Sequence, residues 1–154
     1  MTMSRDPGCE LCQLSAPVAW AGDKFSVIVV DDASYPGFCR VIWRDHVREM
    51  SDLARDDRLL LNEAVFQVEQ AVREVMQPLK VNVASLGNVV PHLHWHIIPR
   101  YADDAHFPAP VWAQAVREAE PDTLAARRAL AGQLGAAIAR RFNERTDSCL
   151  TQPN

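Results

Sequence analysis

Three of the chain's five histidines stand in His92-Leu93-His94-Trp95-His96, at positions i, i+2 and i+4. In a β-strand alternate side chains share a face, so this spacing predicts three imidazoles pointing one way. Leu93, Trp95 and Ile97 then point the other way, into a core. A half-buried strand ordinarily carries Thr, Ser or Lys on its polar face. Chance polar residues on a solvated face are the bland reading.

Two kinds of chemistry suit such a strand. Neutral imidazole is a common metal ligand, although three consecutive same-face histidines converge poorly on one ion. Imidazole is also a nucleophile toward phosphorus, titrating near neutral pH without strong tuning. A flanking imidazole can hold phosphoryl oxygens or protonate a leaving group. A second feature is Cys9-Glu10-Leu11-Cys12, which has the spacing of a zinc knuckle. One such pair needs two further ligands, and two ordinary thiols are the alternative. A redox dithiol fits less well, because no thioredoxin-like βαβ pattern follows.

The elements that position these residues follow from periodicity and punctuation. Phe25–Val30 and Cys39–Trp43 read as strands joined by a loop, Asp31 to Gly37, that closes on Pro36-Gly37. Ser51 reads as the N-cap of a long helix that stops before Pro78. Leu61, Val65, Val68, Val72, Val75 and Met76 recur at spacings of three and four, marking its buried face. Lys80–Ala84 is a third strand, followed by a turn at Gly87-Asn88. His92–Ile98 is a fourth, with Pro99 ending it. Phe107–Trp112 is too proline-rich for regular helix. One further helix is expected from about Asp122 to Phe142.

The expected fold is α+β: an antiparallel sheet with one long helix packed on it and a C-terminal helix. Residues 1–112 form the main domain, 113–145 a helical extension of the same domain, and 146–154 a flexible tail.

Composition sets limits. The chain has 154 residues, 48% apolar and 23% charged, with a net charge of -4. That is one ordinary globular domain. No basic run exceeds Arg140-Arg141, which argues against a nucleic-acid partner. No apolar run is long enough for a signal peptide or a membrane span, so a cytoplasmic protein with no membrane partner is expected. In a reducing compartment Cys9, Cys12, Cys39 and Cys149 are thiols or metal ligands. Cys39 is expected to pack as a small hydrophobe, Cys149 to lie in the tail, and His106 to be a solvated loop residue.

His92-Leu93-His94-Trp95-His96-Ile97-Ile98 resembles the His-φ-His-φ-His-φ-φ signature of the histidine triad (HIT) superfamily, φ being hydrophobic. The following Pro99-Arg100 is also typical. The Pro36-Gly37 loop, the strand to Trp43, the helix from Ser51, the Asn82 strand and the Gly87-Asn88 turn come in the family's order. The resemblance covers about Cys9 to Trp112. It implies a nucleotide hydrolase or transferase acting at the α-phosphate of a dinucleoside polyphosphate or a nucleoside phosphoramidate. His94 would be the nucleophile that forms a nucleotidyl-histidine. His96 would bind phosphoryl oxygens and assist the leaving group, and His92 would support the site.

Asn82 and Asn88 match polar positions near the family's phosphate site, and Asp31, across a one-residue gap, lies near where relatives hold the ribose. Turn chemistry is the competing reading of Asn88. Some members hold structural zinc with a Cys-x-x-Cys pair, a histidine at the place of His46, and the first triad histidine. Here those are Cys9, Cys12, His46 and His92. The chemistry itself would need no cofactor, the partner is a small-molecule nucleotide, and relatives form homodimers.

Two departures stand out: Phe38 follows Pro36-Gly37 where many relatives carry histidine, and Val89 is apolar where the phosphoramidase branch bears serine. A nucleotide-binding regulatory module with little turnover, or a metal-dependent hydrolase using the strand histidines as ligands, are the alternative functions.

Overall fold

The computed structural model describes residues 4–150 of the chain, with side chains to residue 145. Five strands form one antiparallel sheet in the order β1-β2-β3-β5-β4. They are β1 (Val18–Ala21), β2 (Phe25–Val29), β3 (Cys39–Trp43), β4 (Lys80–Ala84) and β5 (His94–Arg100). The helices are α1 (Arg55–Met76), α2 (Pro121–Ala131) and α3 (Leu134–Leu150). The α+β expectation holds, with a long helix on the sheet and helix at the C-terminal end.

Alternation along the strands divides the sheet into two faces. Phe25, Val27, Val41, Trp43, Leu93 and Ile97 enter the main core with Leu61, Val65, Val68 and Val72 of α1. The intervening residues face the other side. There Ile28 and Ile42 pack under Cys9, Leu11 and Cys12 of the N-terminal segment. The histidines therefore lie opposite the helical layer.

Several boundaries differ from the expectations. Ser51 is not the cap of α1: it sits in a short 3-10 turn, Met50–Asp52, and Ala54 precedes the helix without a side-chain cap. Burial of Leu53 between turn and helix pins the chain there and delays α1 to Arg55. At its other end, Gln77 takes a left-handed conformation (φ 47°) and closes α1 before Pro78. β1 was not expected at all.

β5 starts at His94, two residues late, and runs through Pro99 to Arg100. The ladder with β3 ends at the Cys39–Ile97 pair, so beyond it β5 has a partner only in β4. A proline is tolerated on such an open side. The expected single C-terminal helix is broken at Gly132-Gln133 into α2 and α3, and α3 continues to Leu150, past the expected start of the tail at Thr146. The rest of that tail, 151–154, and the side chain of Cys149 lie outside what is described.

Gly37 makes the β2–β3 connection possible. It has φ +88°, and a Cβ there would lie 2.9 Å from Met76 of α1. No helix among the described residues is long and apolar enough to cross a membrane.

Candidate active site and metal centre

β5 presents His94 and His96 on the face away from α1. Each is directly paired across the ladder to β3: His94 with Ile42, His96 with Arg40. Both histidines line a cavity of about 520 Å³. Its remaining wall comes from Glu10 and Leu11 of the N-terminal segment, from Leu86 to Val90 of the β4–β5 loop, from Arg40 and from Trp112. Trp112, Leu86 and Val89 are exposed apolar side chains here, a surface suited to a flat base.

His94 is buried, and its Nδ1 lies 2.6 Å from the His92 carbonyl oxygen. A carbonyl only accepts, so Nδ1 carries the proton and donates it. The lone pair then resides on Nε2, which fixes the tautomer a nucleophile needs. Burial lowers the His94 pKa, the bond to His92 opposes that shift, and Arg40 adds to it. His96 is pushed down to about 4 by burial, by His94 and by Arg40. It is therefore a neutral imidazole near pH 7. Its ring stacks on Phe38 at 5.4 Å and 23°.

His92 leaves this arrangement. It precedes β5 and turns to the N-terminal segment, so the three imidazoles do not share one site. Its Nδ1 lies 3.4 Å from Sγ of both Cys9 and Cys12, and Cys12 Sγ lies 3.4 Å from Nδ1 of His46. The four ligand atoms all lie within 4.8 Å of one another. Zinc bonds of about 2.0–2.3 Å at tetrahedral angles would set sulfur and nitrogen ligands roughly 3.5 Å apart. The cluster fits a tetrahedral Cys2His2 site.

Its outer contacts fit as well. His92 Nε2 donates to the Trp43 carbonyl at 2.6 Å, which leaves Nδ1 free to ligate, and His46 Nε2 lies 3.9 Å from Asp6. The knuckle turn is closed by Cys12 N–H donating to the Cys9 carbonyl, and the Asp6 N–H points to Cys12 Sγ at 3.4 Å.

The other expected residues separate. Asn88 lies on the cavity wall. Asn82 is not in it: its Oδ1 accepts from Arg100 Nη1 at 2.6 Å. Asp31 lines a different depression, beside Gly37 and Arg128. Cys39 is fully buried, as expected of a small hydrophobe. His106 is not a solvated residue; it is half-buried, with Nδ1 2.5 Å from the Tyr35 hydroxyl.

Arg40, Glu10 and Trp112 escaped the sequence reading. Arg40 had a signal: a lone charge in the otherwise apolar strand Cys39-Arg40-Val41-Ile42-Trp43. Trp112 and Glu10 had none, since only the fold brings their segments to β5.

The HIT domain family matches residues 14–103, more than half of the chain. The chain belongs to the HIT family. Among solved structures, a histidine triad protein of Bradyrhizobium japonicum is 30% identical, covering 81% of this chain and 89% of its own, with a TM-score of 0.65. A histidine triad protein of Marinobacter aquaeolei is 26% identical over 84% of this chain and 96% of its own, also at 0.65. A zinc-bound histidine triad family protein of Mycobacterium smegmatis shares the fold at 20% identity, with 92% and 97% coverage and a TM-score of 0.57. No curated protein matches the chain. Membership in the HIT family supports a nucleotide hydrolase or transferase in general.

Proposed function

We propose that this HIT protein hydrolyses a nucleotide at its α-phosphate through a nucleotidyl-histidine on His94. The observation that carries the reading is the His94 tautomer: a proton held on Nδ1 by a backbone carbonyl, and an open Nε2 in a cavity that also holds His96 and Arg40. In the first step Nε2 attacks the α-phosphorus. A P–N bond forms, and the bond from phosphorus to the leaving group breaks with its electron pair on the leaving atom, which departs as a phosphate anion or, when it is an amine nitrogen, takes a proton from solvent water. In the second step water attacks the same phosphorus, the P–N bond breaks, and His94 regains its lone pair. The water's proton goes to the surrounding solvent or product phosphate. Dinucleoside polyphosphates and nucleoside phosphoramidates are the substrate classes. Asn88 and His96 contact the phosphoryl oxygens, and the apolar wall of the cavity takes the base.

Cys9, Cys12, His46 and His92 hold a structural zinc in this reading. When bound, the ion ties the N-terminal segment to the strand and supplies stability rather than chemistry. His94 and His96 stand outside the ligand cluster, which gives the metal-dependent hydrolase reading no support. A homodimer is part of the proposal. β4 is an open sheet edge with Val83 exposed, and α1 leaves Leu59, Leu60 and Phe66 outward.

The test is rapid mixing with diadenosine tetraphosphate, an alkaline quench and mass spectrometry. The peptide containing His94 should gain a nucleotidyl group, and His94→Ala should lose turnover by about 10³-fold or more. Unchanged turnover in His94→Ala would overturn the assignment.

A further inference from the structure

Arg40 is a cation without a counterion in the wall of the histidine cavity. Several other arginines are paired with carboxylates: Arg100 with Asp104, Arg127 with Asp103 and Arg141 with Glu74. The Arg40 guanidinium has no ion-pair or hydrogen-bond partner among the described residues, and its Nε is buried and unsatisfied. A buried donor left without a partner is destabilising, so its persistence calls for a function.

Its placement is well defined. Arg40 lies directly across the ladder from His96, which puts the two Cβ atoms roughly 5 Å apart on the cavity face. Its guanidinium sits 5.4 Å from the ring of Phe38, and the same ring stacks on His96. Phe38 thus holds a planar cation and an imidazole side by side. Glu10 is the carboxylate in the cavity wall, but it is exposed and bonds neither group. At His96, His94 and Arg40 both disfavour the charged imidazole, so the field there is positive.

We propose that Arg40 binds the leaving-group phosphate, and so selects substrates that release a phosphate over substrates that release an amine. This rests on the nucleotidyl-transfer reading above. A phosphate leaves with the electron pair of the broken P–O bond as a weakly basic anion, which a bidentate guanidinium stabilises without giving up a proton. An amine must instead gain a proton on nitrogen as the P–N bond breaks. Arg40 cannot supply one, because its guanidinium does not deprotonate in proteins. The neighbouring His96 is held neutral by burial.

The experiment compares wild type, Arg40→Met and Arg40→Lys on diadenosine tetraphosphate and on adenosine 5′-phosphoramidate. Arg40→Met should lower kcat/KM for the tetraphosphate by about 10- to 100-fold, the effect of losing a charged hydrogen bond, and for the phosphoramidate by less than about 3-fold. Arg40→Lys should recover part of the tetraphosphate rate, since it keeps the charge but not the planar fork. Equal losses on both substrates, or no loss on either, would overturn the proposal.

A binding arm separates this claim from the reading beneath it. Calorimetry with α,β-methylene ATP and with AMP should show a preference for the triphosphate in wild type that Arg40→Met abolishes. If wild type turns over neither nucleotide, the hydrolase reading fails, and the Arg40 assignment is still decided by whether that preference exists and disappears.

Discussion

Two backbone carbonyls organise the chemistry at the level of single residues. Trp43 takes the Nε2 proton of His92, and His92 takes the Nδ1 proton of His94. The chain of contacts runs from the thiols of Cys9 and Cys12 through His92 to His94. A different residue cluster holds the far end of β5. Arg100 and Asp104 are each 2% exposed and paired at 2.7 Å. Asp104 also accepts from the Tyr35 hydroxyl and from the backbone N–H groups of Tyr101, His106 and Phe107.

These donors hold the Asp104 carboxyl well below the usual carboxylate range, against the opposing effect of burial. A depressed carboxylate pKa contributes stability above the unfolded value, near 4, and that contribution is lost as pH falls below it. Asp104→Asn should cost about 3–5 kcal/mol at neutral pH, because Arg100 is left buried without its counterion. The gap between wild type and variant in urea midpoint should shrink as pH drops from about 5 toward 3. A gap constant over that range would show that the ion pair is not the source of the loss.

Among the elements, those with regular periodicity were legible in the sequence. Of the six apolar positions read as the buried face of α1, Leu61, Val65, Val68, Val72 and Met76 are buried and Val75 is partly buried, and β2, β3 and β4 fall close to their expected bounds. β1 was hidden because it has only four residues, and its Trp20 packs on Phe25 and Phe142 rather than alternating with a polar partner. The strand geometry of the histidines was legible only in part. His94 and His96 obey the alternation, whereas His92 is drawn out of it by contacts with residues 83 and 80 positions earlier. Spacing along one strand carries no information about that pull. The resemblance to a family did, by pairing His92 with Cys9, Cys12 and His46.

The N-terminal segment is the element whose stability depends most on that cluster. It buries Cys9, Leu11 and Cys12 on the sheet, and its described residues, 4–14, carry no helix or strand. Metal analysis of the purified protein should find one zinc per chain, and Cys12→Ser should lose it. Removal by a chelator should lower Tm and raise proteolysis near residues 4–14, since metal binding there is linked to folding of the segment. Glu10 and Leu11 line the cavity, so nucleotide affinity should fall with the metal. Full retention of Tm and of cavity binding in the metal-free protein would refute the structural role.

At the scale of the whole molecule, the family match ends at residue 103, but the folding unit does not. α2 contributes no fully buried residue. α3, beyond the break at Gly132-Gln133, places Leu134, Ile138 and Phe142 in the main core. Phe142 stacks on Trp20 of β1 at 4.7 Å and meets Phe25 of β2 edge-on at 5.5 Å. Arg141 reaches back to Glu74 of α1 at 2.7 Å. α3 therefore closes the edge of the sheet that α1 leaves open, and the break before it lets the helix turn onto β1.

Burial of one large apolar side chain is worth about 1.5–3 kcal/mol, so Leu134, Ile138 and Phe142 together contribute roughly 5–9 kcal/mol. Domain stabilities are only about 5–15 kcal/mol in all. A chain ending at Ala131 should accordingly lose cooperative unfolding and bind a hydrophobic dye, although it keeps the whole family match and both histidines of the cavity. Ile138→Ala in the full chain should keep the fold and cost about 2–5 kcal/mol by urea denaturation. Near-native, two-state unfolding of residues 1–131 would instead make α3 an accessory, and would return the boundary of the folding unit to the family match.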